Sequence, residues 1–165
     1  MIDTLLVRKR ILSANMRKAW LKVLYKNRLF YGKKFYFRKR FNLLIEQGGI
    51  VKIGKRVFFN NDCSINCVDS IEIGSYTIFG ENVKIFDHNH RFNKKNTPVS
   101  SQGLSHSKVI IGTNCWIGSN VVILKGAKIG NNCVIGAGCI INETISDDTI
   151  VRFNGDQVKE KIIYK

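Results

Sequence analysis

Isoleucine returns every six residues through the C-terminal half of the chain: Ile111, Ile117, Ile123, Ile129, Ile135 and Ile141 stand in unbroken register, and Gly112, Gly118, Gly130 and Gly136 follow four of them. Four residues after each of the first five comes a small or compact side chain: Cys115, Val121, Ala127, Cys133, Cys139. The same phase runs upstream through Ile53, Phe59 and Ile65, with Val57 and Cys63. It runs again through Ile73, Phe79 and Ile85, with Thr77 and Val83, and a slip of two residues separates Ile65 from Ile73. A helix would set its apolar residues three and four apart and a half-buried strand would alternate them, so period six fits neither. It fits short strands joined by sharp corners, one large and one small side chain per hexad turned inward. Three hexads then close one triangular coil, which buries its interior only by stacking on the next. The prediction is an all-β fold, a parallel β-helix.

Two stretches break the hexads. Over residues 2–31, Leu5, Leu12, Met16, Ala19, Trp20, Val23, Leu24, Phe30 and Tyr31 recur at mixed spacings of three, four and seven. Arg8, Lys9, Arg17, Lys18, Lys22, Lys26 and Arg28 lie between them, and no glycine or proline interrupts the run before Gly32. This predicts an N-terminal basic amphipathic helix over 1–32. Phe35, Phe37, Phe41, Leu43 and Ile45 then alternate with Lys34, Tyr36, Arg38 and Arg40, as strands opening the solenoid would. The second break runs from Phe86 to Lys108 and holds all three histidines and the only proline, Pro98. A long insertion in a regular solenoid is expected to carry function. The expected division is a helix over 1–32, a β-helix domain over 33–155 with an extruded loop at 86–108, and a C-terminal tail over 156–165.

Composition narrows the partners. With 165 residues and 44% apolar content, the chain is long enough for one domain with a real core, which excludes a disordered or collagen-like chain. Its 27 Lys and Arg against 12 Asp and Glu give +15. Residues 1–45 hold 13 of these bases and one acid, Asp3, a net +12, so the remaining 120 residues carry only +3. The charge belongs to the lead segment. That segment could pack on the solenoid end or lie on the anionic inner face of a membrane. Nucleic acid is not an expected partner, because no reader motif accompanies the charge. Five cysteines without a C-x-x-C pair read as reduced, small hydrophobic side chains rather than a disulfide or zinc framework. With no apolar run of transmembrane length and no secretory signal, the expected location is cytoplasmic, with peripheral contact at the inner membrane face through residues 1–31.

The hexads, together with Asn114-Cys115-Trp116-Ile117-Gly118-Ser119 and Val134-Ile135-Gly136-Ala137-Gly138, resemble the hexapeptide-repeat acyltransferases, in particular the maltose and galactoside O-acetyltransferase branch. The resemblance covers about Gly49 to Ile150. It implies a left-handed β-helix, acetyl-CoA as co-substrate without a metal, a sugar or glycan acceptor of the capsule, exopolysaccharide or O-antigen kind, and a homotrimer with active sites between subunits. The family's catalytic histidine stands five residues after an aliphatic that matches Ile85, which implies His90 as general base. A neutral imidazole with a pKa near working pH can deprotonate a hydroxyl as it attacks the thioester and return the proton to the thiolate. The resemblance further implies the backbone N–H of Ser119 as oxyanion donor, and Asp62 and His88 as acceptor-binding residues. Capping a corner, as Asp does in turns, is the open alternative for Asp62 and for Asp87. On the donor side it implies Trp116 and Ser119 along the pantetheine arm, Ala137 facing coenzyme A, and Asn142. The family's Thr-Lys pair is replaced here by Asn142-Glu143 and a later arginine aligns with Gln157. The 3′-phosphate contact is therefore expected from Arg152, Lys159 or Lys161. N-acetylation of an amino sugar nucleotide stays open, as do a zinc hydratase resembling the γ-class carbonic anhydrases, with His88, His90 and His106 as ligands, and an inactive scaffold.

Overall fold

The computed structural model describes the backbone of residues 2–46 and 48–161, and the side chains of residues 12–46, 48–153, 155 and 159. The chain is a three-faced parallel β-solenoid of about six coils, led by one helix, as the hexads predict. The first face carries Leu29–Tyr31, Ile50–Ile53, Ser70–Ile73, Val109–Ile111, Lys128–Ile129 and Thr144–Ile145 in that order. The second begins with Tyr36–Phe37 and Phe58–Phe59 and ends with Thr149–Asn154; the third runs from Asn42–Ile45 to Ile140–Ile141. Neighbouring coils pair in register, Ile65 beside Ile85 and Ile85 beside Ile123, so like positions stack into columns.

Every hexad isoleucine from Ile111 to Ile141 is buried, and so are all five cysteines. Burial raises the five thiols above their ordinary pKa, Cys115 to about 11. The N-terminal coils fill the same interior with aromatic rings. Phe59 and Phe79 stack with centroids 4.1 Å apart, and Phe37 and Phe41 at 4.6 Å.

The corners explain the polar half of the hexad. Most turn through a residue at positive φ, often asparagine: Asn82, Asn114, Asn120 and Asn132 lie at φ 55–59°. Their amides run up the edges as ladders, Asn82 to Asn120 at 2.9 Å and Asn114 to Asn132 at 3.1 Å. The glycine after four of these isoleucines permits close stacking, since a Cβ at Gly112 would collide with the carbonyl of Gly130 in the next coil.

Helix α1 (Ile2–Tyr25) closes the open end. Within the solenoid, the carbonyls of one coil accept from N–H groups of the coil before it, as Ile53 does from Gly32. The first coil has no predecessor, and side chains of the lead segment supply the donors. Lys22 reaches the carbonyl of Leu29 at 2.6 Å, Lys18 that of Phe35 at 3.0 Å and Arg17 that of Phe41 at 2.6 Å. The Tyr25 hydroxyl donates to Leu43 at 2.9 Å and Arg28 to Ile45 at 3.3 Å. The lead segment's charge is thus partly structural, covering a sheet edge that would otherwise be open.

Two boundaries differ from expectation. The helix stops at Tyr25 rather than running to 32, because Leu29 is wholly buried and pairs with Val51 as the solenoid's first strand. The C-terminal segment is not a bare tail: Asp156–Lys161 folds back antiparallel on Thr149–Asn154 and covers the last coil's edge. The expected contributions of Leu5, Arg8 and Lys9 lie outside the described side chains. No described helix is long and apolar enough to cross a membrane.

Candidate active site

The extruded loop leaves the edge between the third and first faces and is rooted on Asp87. That side chain is fully buried among backbone donors. Asp87 accepts the N–H of Val68 at 2.9 and 3.1 Å and the N–H of Asp69 at 2.8 Å, both from the corner of the preceding coil. Its Oδ1 also lies 2.9 Å from Nδ1 of His88. Burial pushes the Asp87 carboxyl up, but bonds from Val68, His88, Asp69 and Cys67 outweigh it and hold the carboxyl below its ordinary value. Because a carboxylate only accepts, the His88 proton belongs on Nδ1, which leaves Nε2 free.

The loop then forms a two-stranded antiparallel ribbon, His88–His90 against Leu104–His106, with His88 opposite His106 and His90 opposite Leu104. Alternation along a strand and direct pairing across it put all three histidines on one side of the ribbon. That side turns toward the preceding corner, where Nδ1 of His106 lies 3.0 Å from Asp69 Oδ2. The other side turns toward the following coil: Lys125 donates to Ser105 Oγ at 2.8 Å. Inside the loop, Gln102 bonds the carbonyls of Lys94 and Thr97 and accepts the N–H of Lys94. The loop is therefore internally organised. His90 is exposed at the end of its strand.

Asp62 does not join this cluster. It sits at φ +64° on another edge, between the second and third faces, with both carboxylate oxygens engaged by Arg40. That arm also holds its carboxyl below the ordinary range. The carboxylate beside the histidines is Asp69, which the sequence reading passed over. Its signal was available: Asp69 stands in the two-residue slip after Ile65, in the coil before the one that carries Asp87.

The residues expected to meet the donor lie away from the loop. Trp116 is 56% exposed on the second face, and Ser119 and Ala137 stack on the edge between the second and third faces. The first residue of several corners donates its N–H to a side chain one coil on: Lys55 to Ser75, Glu81 to Ser119, Thr113 to Asn131 and Asn131 to Asp147. At Ser119 the next residue in the column is Ala137, whose methyl cannot accept. The Ser119 N–H makes no hydrogen bond among the described residues. Asn142 is exposed on the loop's own edge, two coils beyond the loop's root. Beside it Glu143 and Lys159 form an ion pair, so Lys159 already has a carboxylate partner. The side chains of Gln157 and Lys161 lie outside the described residues. Among the described residues no three His, Cys, Asp or Glu side chains converge as a metal-ligand group.

Residues 108–143 match the bacterial transferase hexapeptide family (six repeats). The chain belongs with the hexapeptide-repeat transferases. Among its relatives, WbbJ of Escherichia coli K12, named as a lipopolysaccharide biosynthesis O-acetyl transferase, is 34% identical over 110 residues, covering 62% of this chain and 56% of WbbJ. A maltose O-acetyltransferase from Clostridium difficile 630 is similar in structure, with a TM-score of 0.67 and 29% identity over 82% of this chain and 72% of that one. A galactoside acetyltransferase in complex with coenzyme A gives a TM-score of 0.73 and 25% identity over 87% of this chain and 70% of that one. This hexapeptide-repeat chain spans 36 to 56% of the length of the first curated relatives it matches.

Proposed function

We propose that this protein is an acetyltransferase that moves acetyl from acetyl-CoA to a hydroxyl of a sugar or glycan precursor in polysaccharide biosynthesis. One observation carries the reading: a ribbon with three histidines on one side, rooted on the buried Asp87 carboxylate, in a hexapeptide solenoid whose Ser119 N–H has no acceptor among the described residues. The coenzyme A complex of the galactoside acetyltransferase supports the donor, and the names of WbbJ and the maltose and galactoside enzymes support a glycan acceptor.

In this reading His90 removes the acceptor proton as the hydroxyl oxygen attacks the thioester carbonyl. The Ser119 N–H stabilises the resulting oxyanion. Collapse expels the thiolate of coenzyme A, which takes the proton back from His90. No acyl-enzyme forms, in keeping with five buried cysteines. His88, oriented by Asp87, and Asp69 hold the acceptor. Trp116, Ser119, Ala137 and Asn142 bind the donor, with the Lys159–Glu143 pair beside it.

Loop and donor edge are separated by the third face, and no described hydrogen bond, ion pair or ring contact joins them. A homotrimer supplies what one chain lacks by bringing the loop of one copy to the Ser119 edge of the next. We infer a cytoplasmic location for this activity, with the membrane contact of residues 1–31 as a separate question.

Release of free thiol from acetyl-CoA, measured with a panel of sugars and nucleotide sugars, tests the activity. The expected result is turnover on a hydroxyl acceptor that falls at least about a hundred-fold in His90→Ala. Turnover only on amino sugars would assign N-acetylation, and full activity of the variant would remove His90 from the chemistry.

A further inference from the structure

We propose that the outer face of α1 and the basic rim around it form a docking surface for an anionic lipid bilayer. Helix α1 has two apolar stripes where a surface helix needs one. Ala14, Leu21 and Tyr25 are buried against the first coil. On the opposite side Leu12, Met16, Trp20 and Val23 recur at i, i+4, i+8 and i+11. They are 63, 67, 62 and 72% exposed, with the exposed Leu24 and Phe30 near them. A contiguous apolar stripe left in water marks an interaction surface.

Charge selects the occupant. Arg17, Lys18, Lys22 and Arg28 are taken up by carbonyls of the first coil, but Lys26, Lys33, Lys34 and Lys39 around the same end are exposed. Within residues 12–46 the sole acid is Glu46. A second copy of this face would set like charges against one another, whereas a surface of anionic headgroups complements them. A cavity of about 460 Å³ beside the stripe adds to the fit. It lies between α1 and the first coil. Ser13, Tyr36 and Lys39 line it with donors suited to a headgroup phosphate, beside the charges of Arg17, Arg38 and Arg40, which are engaged by Phe41, Asn60 and Asp62. Trp20 stands mid-stripe, the kind of side chain that settles at the membrane–water boundary. In a cyclic trimer whose axis runs along the solenoid, all three stripes would face the same plane and reinforce one another. The docking stands or falls independently of acetyl transfer.

Vesicle co-sedimentation of the full chain tests it, with phosphatidylcholine vesicles compared against mixed phosphatidylglycerol–phosphatidylcholine vesicles. The expected result is partition onto the mixed vesicles at least about ten-fold above phosphatidylcholine alone, falling as salt is raised. The exposed-stripe variant Trp20→Gln/Val23→Gln keeps its melting temperature and loses about ten-fold in partition. Lys33→Gln/Lys34→Gln/Lys39→Gln loses about a hundred-fold at low salt, roughly five-fold per charge. Absence of wild-type binding, or equal binding by the stripe variant, overturns the proposal. So does a stripe variant that changes the assembly mass instead of the partition, which would give the stripe to a second copy.

Discussion

The N–H of Ser119 makes no hydrogen bond among the described residues, and Ala137 follows it in the column where the equivalent N–H groups of Glu81, Thr113 and Asn131 meet an acceptor. Ala137→Ser would place a hydroxyl oxygen in the column and compete for that N–H. Its expected effect is a fall in kcat of about a hundred-fold with little change in melting temperature, the signature of a lost oxyanion donor. Steady-state kinetics beside thermal melts would read both. At Asp87, replacement by Ala strands the N–H groups of Val68 and Asp69 and releases His88, and should cost about 2–5 kcal/mol by denaturant titration. Its carboxyl lies below the ordinary value in the folded chain. The stability it contributes is therefore complete above about pH 4 and is lost as pH falls through the folded value. Asp87→Ala should flatten that acid limb of the stability curve. Asp69 can be tested by kinetics: Asp69→Asn should raise the KM for the acceptor and leave that for acetyl-CoA.

At the scale of elements, the hexad strands were legible because one physical demand repeats. Each hexad must bury one large and one small side chain and turn at a corner, so Ile117, Val121 and Asn120 report their places without any long-range information. The same repetition marked the loop by interruption. The cap was less legible. That Arg17, Lys18 and Lys22 serve the carbonyls of the first coil depends on how α1 lies across the solenoid end, which no local pattern encodes. Asp62 and Asp69 show the limit from the other side. Both are corner carboxylates six or more residues from their nearest histidine in sequence, and only the stacking of coils tells which edge each occupies. The capping role predicts that Tyr25→Phe costs about 1 kcal/mol. Removing residues 1–25 should expose the carbonyl edge and the rings of Phe35, Phe37 and Phe41, and light scattering should show aggregation rather than a soluble solenoid.

For the whole molecule, the histidine ribbon and the Ser119–Ala137 edge sit on different edges of one solenoid, which in the proposed function makes them two halves of a site. On that proposal, assembly, membrane docking at the α1 end and acetyl transfer would use different surfaces: the long faces, the capped end and the groove between copies. The split site is the central claim. Co-assembly of His90→Ala subunits with Ala137→Ser subunits tests it most directly, because each variant is impaired alone but their mixed interfaces pair an intact loop with an intact edge. Random mixing should restore about a quarter of wild-type thiol release. Mixed assemblies of unchanged mass that recover nothing would contradict the account.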